Sequence, residues 1–196
     1  YGVPSSLETI RAVISELAAV IVEPVQSRNL SLQPVAFLKE LREITEKAGV
    51  AFIMDEVITG FRAHIGGAQA YFGIKADIAT YGKVLGGGMP IGAIGGRSKF
   101  MDALDGGFWQ FGDQSEPEVG VTYFAGTFVR HPLAMAAARA TLVHLKAQGN
   151  DLQQRVNEVT ARWVEAIGEV IQKCHLNVTI SYFSSAFRLN FPQEFQ

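Results

Sequence analysis

Short apolar runs alternate with stretches of helical period along most of the chain. Between Ser5 and Leu17, the residues Leu7, Ile10, Val13, Ile14 and Leu17 recur at helical spacing. Ala18 to Val22 is a continuous apolar run with β-branched residues, closed by Glu23-Pro24, and predicts a buried strand. Pro34 opens the next helix, whose Phe37, Leu38, Leu41 and Ile44 share a face and which Gly49 ends. Val50 to Met54 predicts a second strand. Strand, helix, strand at this spacing is a βαβ unit, which implies parallel strands and a right-handed crossover. A short helix over Gly67 to Phe72 and a third strand from Asp77 to Tyr81 follow. Ile91 to Gly95 predicts a fourth strand, weakened by its glycines.

Residues 102–122 carry the polar and glycine punctuation of an irregular loop. Pro132 to Lys146 then reads as an alanine-rich buried helix. A long amphipathic helix follows Asp151, with Leu152, Val156, Val159, Trp163, Ile167 and Val170 on one stripe. Val178 to Ser181 and Ala186 to Phe191 predict strands. The chain thus reads as α/β, with residues 1–147 forming part of a large domain and residues 148–196 opening a smaller one.

Composition narrows the possibilities. With 48% hydrophobic residues in 196, the chain can bury one core or most of one. A formal charge of -2, pI near 6.1 and no lysine/arginine run argue against a nucleic-acid partner. The longest uncharged apolar stretch, Val84 to Gly96, falls short of the roughly 20 residues of a membrane span. A lone cysteine, Cys174, and no signal-peptide pattern fit a cytoplasmic setting. The chain opens at Tyr1-Gly2-Val3-Pro4 and stops at Phe195-Gln196 straight after an apparent strand, so it reads as a piece of something longer.

Chemistry concentrates at two strand ends. Asp55 follows the run Val50 to Met54, and Lys83 follows Ile78-Ala79-Thr80-Tyr81, ahead of Gly86-Gly87-Gly88. Open α/β sheets bind ligands at the carboxyl ends of their strands. Glycines there let backbone approach a ligand closely. A phosphate loop is the obvious rival, but it needs a glycine five positions before Gly82 and Ser/Thr after the lysine; Asp77 and Val84 stand there instead. Pyridoxal phosphate needs this pairing, a lysine amine for a Schiff base and a carboxylate beside its pyridinium nitrogen. Val57, two residues beyond Asp55, is expected to project from the same side of an extended backbone and to pack against a flat ring. The commoner fates of these residue types are a solvated loop lysine and a strand-end turn aspartate.

Four segments together resemble the class III pyridoxal-phosphate aminotransferases. They are Glu23-Pro24-Val25-Gln26, Asp55-Glu56-Val57-x-Thr59-Gly60-Phe61-Arg62, Gly82-Lys83-x-x-Gly86-Gly87-Gly88-x-Pro90-x-Gly92-Ala93 and Gly126-Thr127-x-x-x-x-Pro132-Leu133-Ala134. They stand in the family's order and cover roughly residues 18–145. The resemblance implies fold type I, a mostly parallel sheet flanked by helices, with the start of a smaller α+β C-terminal domain. It implies Lys83 as the Schiff-base lysine, Asp55 on the pyridine nitrogen and Val57 packed on the ring. Thr127 would reach the phosphate of the neighbouring protomer's cofactor, in a homodimer.

Phe61-Arg62, Ile58 and Gly66-Gly67-Ala68-Gln69-x-x-Phe72-Gly73 look like the glutamate-1-semialdehyde aminomutase branch. The long 102–122 stretch and Thr127-Phe128-Val129-Arg130-His131-Pro132 look instead like aminotransferase domains of hybrid polyketide/peptide synthetases of the microcystin and nodularin type. That resemblance implies an amino donor and a carrier-bound β-keto acyl acceptor converted to a β-amino acyl chain. The alternatives are the aminomutase itself and a non-catalytic carrier-docking module that keeps the fold.

Other residues carry less. His64, His131, His144 and His175 show no metal-ligand spacing with one another or with Cys174, which reads as a small buried residue. His131 either lines the site or caps a helix. Trp109 and Phe111 either contact an acyl substrate or pin their loop. Arg28 either meets a substrate anion or forms a surface ion pair.

Overall fold

The computed structural model describes residues 4–110 and 112–192. Phe111 and the two chain ends, Tyr1 to Val3 and Gln193 to Gln196, lie outside them. Helix α1 (Pro4–Val13) runs into a 3-10 turn at Ile14–Glu16, so the helical period seen up to Leu17 continues in a tighter winding. Strand β1 (Ala19–Val22) leads through helix α2 (Val35–Ala48) to strand β2 (Ala51–Asp55). The two strands pair in parallel, with Val20 opposite Phe52 and Val22 opposite Met54.

Helix α2 shows why the pattern folds as it does. Phe37, Leu38, Leu41 and Thr45 lie on its buried face, and Leu38, Phe52 and Met54 have no exposed surface at all. Burying side chains of this size contributes about 1.5–3 kcal/mol each. Thr45 is tolerated inside because its hydroxyl donates to the Leu41 carbonyl at 2.9 Å. Gly49 then takes a left-handed conformation, φ 71°, and Val50 N–H returns to the Thr45 carbonyl to end the helix.

Helix α3 (Gly67–Phe72) leads to strand β3 (Ile78–Tyr81), parallel to β2, with Asp55 opposite Thr80. A 3-10 turn at Lys83–Gly86 then reverses the chain into strand β4 (Ala93–Gly96), which runs antiparallel to β3. The sheet order is β1-β2-β3-β4.

Helix α4 (Ser98–Asp105) takes the first four residues of the stretch 102–122 expected to be irregular. Phe100, Met101 and Leu104 give it a helical face, and Gly106, at φ 91°, stops it. Helix α5 (Pro132–Gln148) buries only Ala134, Ala138 and Leu145. It packs on the turn Lys83–Gly86, while Leu133, Met135 and Val143 on its other sides are exposed, so it is not the buried helix its alanines suggest.

Helix α6 (Asp151–Lys173) and the hairpin of β5 (Thr179–Phe183) with β6 (Ala186–Asn190) complete the described chain. Phe183 joins the main core, its ring 5.5 Å from that of Tyr71 and 5.6 Å from that of Phe72. Cys174, at the end of α6, is exposed rather than buried. Among the described residues no helix is long and apolar enough to cross a membrane.

Candidate active site

Strands β2 and β3 end side by side, and this register brings the site together. Thr80 Oγ1 donates to Asp55 Oδ1 at 2.9 Å, and the Val57 amide donates to the same oxygen at 3.0 Å. Among the described residues no donor reaches Oδ2, so one carboxylate oxygen is fixed and the other is open. The Val57 amide bond also corrects the extended geometry expected for residues 55 to 57. The chain leaves β2 at Asp55, and an Asp side chain bonding the amide two residues on is a turn, not a strand. Val57 nevertheless reaches the site: its Cγ1 lies 3.3 Å from where a Cβ on Gly82 would stand.

Lys83 follows directly, exposed, with φ 45°. A lysine in the left-handed region stores on the order of 1–3 kcal/mol of strain, the kind of backbone cost that clusters at functional sites. Its amine makes no hydrogen bond or ion pair among the described residues. Asp55, Val57 and Lys83 are therefore neighbours at one sheet edge. Thr127 is not beside them. It sits in an exposed turn, 127–130, on an open groove of about 1190 Å³ lined also by Ile91, Phe128 and Ala134.

Two further layers hold the edge in place, and sequence reasoning missed both. Glu56 is fully buried, and its carboxylate accepts the Ala68 and Gln69 amides at 2.8 Å each and the Thr59 hydroxyl at 2.6 Å. It thereby satisfies the first free N–H groups of α3. Its own amide donates to the Thr80 carbonyl at 3.0 Å. The one signal in the sequence was a charged residue placed directly after an apolar strand. Beside it, Gln69 Nε2 donates to the Tyr81 hydroxyl at 3.2 Å, and the Tyr81 ring lies 5.3 Å from that of Phe61. Burial pushes the Tyr81 phenol up from its ordinary pKa and the Glu56 charge adds to this, against the opposing Gln69 bond. Tyr81 stays neutral and supports the chain leading to Lys83.

The second layer comes from α6. Gln153 Nε2 donates to the Phe61 carbonyl at 3.1 Å and Asn157 Nδ2 to the Ala63 carbonyl at 2.9 Å, while Asn150 Oδ1 accepts the Ile65 amide at 3.1 Å. The Ser184 hydroxyl lies 3.2 Å from the Arg62 carbonyl and 2.6 Å from Asn157 Oδ1.

The residues set aside earlier find plain places. His131 stands at the N-cap position of α5 without a capping side-chain bond, and it lines the groove with Thr127. The Trp109 indole donates to the Asp105 carbonyl and so pins its loop. Arg28 makes no surface ion pair among the described residues; its carbonyl accepts Arg188 Nη1 at 3.2 Å. No metal-binding group of His, Cys, Asp or Glu occurs among the described residues.

The residues at the edge fit a pyridoxal group: an open carboxylate oxygen, an unpaired lysine amine and a β-branched side chain beside Gly82. That arrangement, beyond the strand ends of a mostly parallel sheet, is the one a pyridoxal-phosphate enzyme uses. The chain belongs to the class III aminotransferases, whose family model matches residues 4–178. This membership indicates pyridoxal phosphate as the cofactor. Similar proteins include a glutamate-1-semialdehyde 2,1-aminomutase of Pyrobaculum calidifontis, 40% identical over 97% of this chain and 40% of that protein. Another, from Acetivibrio thermocellus, is 44% identical over 79% of this chain and 33% of its own length. Among solved structures, an omega-transaminase from Sphaerobacter thermophilus superposes with TM-score 0.79 and 29% identity, over 96% of this chain and 40% of that one. A β-phenylalanine aminotransferase from Variovorax paradoxus gives TM-score 0.74 and 30% identity, over 96% and 41%. The fold is that of these transaminases. The chain spans about 40% of the length of the Pyrobaculum relative.

Proposed function

We propose that this chain supplies one side of a pyridoxal-phosphate site that transfers an amino group, within a homodimer. The observation that carries the reading is the meeting of Asp55 and Lys83 at one sheet edge, with Asp55 Oδ2 and the Lys83 amine both unengaged. Pyridoxal phosphate, when bound, supplies an electron sink for a carbanion at the substrate carbon. Asp55 would keep the ring nitrogen protonated through Oδ2. Val57 would pack on the ring face. The Lys83 amine would move a proton between the substrate carbon and the cofactor carbon, acting as general base and then acid. Thr127 donates its hydroxyl to the phosphate held by the neighbouring protomer. In this reading residues 1–147 belong to the cofactor-binding domain and residues 148–196 begin a smaller one.

The substrate divides the reading in two. The relatives named above favour glutamate-1-semialdehyde 2,1-aminomutase chemistry, in which the amino group returns to the same carbon skeleton. The second reading is amination of a carrier-bound β-keto acyl chain. It is favoured by the exposed 112–130 segment and by Phe128-Val129-Arg130-His131 after Thr127. Both are tested on the complete protein that contains this chain. Borohydride reduction and peptide mass spectrometry should place the phosphopyridoxyl group on Lys83; recovery on Lys75 or Lys99 would refute the site. Glutamate-1-semialdehyde and a β-keto acyl thioester on a carrier protein are then offered in parallel, and the one that turns over decides the substrate.

A further inference from the structure

We propose that Thr80 is a positioning residue for Asp55: its hydroxyl aims the carboxylate by holding Oδ1, which leaves Oδ2 for the cofactor nitrogen. The proposal rests on the pyridoxal-phosphate reading and extends it to a residue outside the acid–lysine pair. A strand position as such does not call for threonine. Valine is as good a strand former and has the same branched shape, so the hydroxyl needs its own reason. Thr80 is half-buried, where a hydroxyl without a partner is costly. Its partner is the Asp55 oxygen, 2.9 Å away on the adjoining strand and directly in register.

The geometry explains why one donor is not enough. The terminal torsion of an aspartate is broad, so a carboxylate held at a single point can swing. The Val57 amide fixes Oδ1 from the turn side, at 3.0 Å. Thr80 fixes the same oxygen from the strand side. Its carbonyl also accepts the Glu56 amide at 3.0 Å, so the backbone next to Asp55 is tied to the same residue. Two donors from different directions on one oxygen set the plane of the carboxylate and the direction in which the other oxygen faces.

The test uses the complete enzyme and measures the dissociation constant of pyridoxal phosphate, the absorption band of the bound cofactor and thermal stability. Thr80→Val keeps shape and strand preference and removes the donor. Cofactor affinity should fall at least about tenfold, close to the lower end for a hydrogen bond to a charged group, and the absorption band should shift. Thr80→Ser should restore affinity to within about threefold. Thr80→Ala serves as the second donor-free variant if valine does not fold. The deciding comparison is a double variant. If Thr80 acts through Asp55, adding Thr80→Val to Asp55→Asn should weaken binding less than about twofold further. Full affinity in the donor-free variant overturns the proposal alone, as does an undiminished tenfold loss in the Asp55→Asn background. An Asp55→Asn enzyme that binds cofactor normally overturns the site reading, and the proposal with it.

Discussion

Gly67 has no room for a side chain, because Glu56 Oε1 lies 2.5 Å from where its Cβ would stand. Its φ of 75° would strain any other residue as well. Gly67→Ala therefore meets a backbone cost of about 1–2 kcal/mol and an overpacking cost of about 1–3 kcal/mol. In the complete protein we expect an unfolding free energy lower by about 2–5 kcal/mol. Denaturant titration checks it, and an alanine variant within 0.5 kcal/mol of the parent, roughly the spread of surface substitutions, would disprove the contact.

Asp77 sets a pH dependence with a definite sign. Burial works to raise its pKa, but the Phe52 amide bond together with Arg42 and Arg97 outweighs it and holds the carboxyl below its ordinary 3.8. Arg42 Nη1 lies 2.7 Å from Oδ2 and Arg97 Nη1 3.2 Å from Oδ1. A depressed folded-state pKa means the stabilisation is complete above the unfolded value and is lost as pH falls through the folded one. Asp77→Asn should lower stability at neutral pH by about 2–3 kcal/mol and flatten the acid limb below about pH 4. Unfolding measured from pH 7 to pH 2 decides; an unchanged acid limb in the variant removes Asp77 as its source.

Asp55→Asn keeps the shape of the side chain and removes its charge. A charge-assisted bond is worth about 1.5–3 kcal/mol, and the electron sink weakens further once the ring nitrogen loses its proton. Turnover of the complete enzyme should fall at least about a hundredfold, equivalent to roughly 2.7 kcal/mol of barrier. Near-normal rates in steady-state kinetics would exclude Asp55 from this role.

Thr127 and Lys83 should complement each other across protomers. In a mixture of inactive Lys83→Ala and Thr127→Ala chains, each heterodimer carries one site with both defects and one with neither. Activity should return in proportion to subunit exchange, which mass spectrometry of tagged chains follows. Exchange without recovery would put Thr127 in its own protomer's site or outside any site.

The strands and helices that form the site's edge were legible in the sequence because each signal was local. The run Val50 to Met54 needs only its own residues to read as a strand, and Gly49 only its own backbone to end a helix. The placement of Asp55 and Lys83 at neighbouring strand ends was legible for the same reason, since both follow such runs. Helix α4 was lost because glycine and polar punctuation after Asp105 outweighed the short face made by Phe100, Met101 and Leu104. Val57 arrived in the expected neighbourhood by a different backbone, because the side chain–amide bond that bends residues 55 to 57 leaves no mark on hydrophobic period. The role of Glu56 was hidden for a deeper reason. Two of its three side-chain partners are main-chain amides of Ala68 and Gln69, which any residue except proline would present. Helix α5 shows the limit of composition. Alanine content states what a helix can pack against, not which of its sides the same stretch of chain covers.

The contacts from α6 to residues 61–65 are almost wholly made by side chains on one partner and main chain on the other. Asn150, Gln153 and Asn157 recur at spacings of three and four, so they form one row along the helix. That row recognises a path of peptide groups rather than a set of amino acids. Residues 61–65 can therefore exchange their side chains at little cost to the grip, whereas a one-residue insertion would throw every peptide group out of step with it. Turning α6 by a single position, about 100°, would carry all three amides away together. Helix and loop are thus tied into one unit, which ends at Phe61, against the ring of Tyr81, two residues before Lys83.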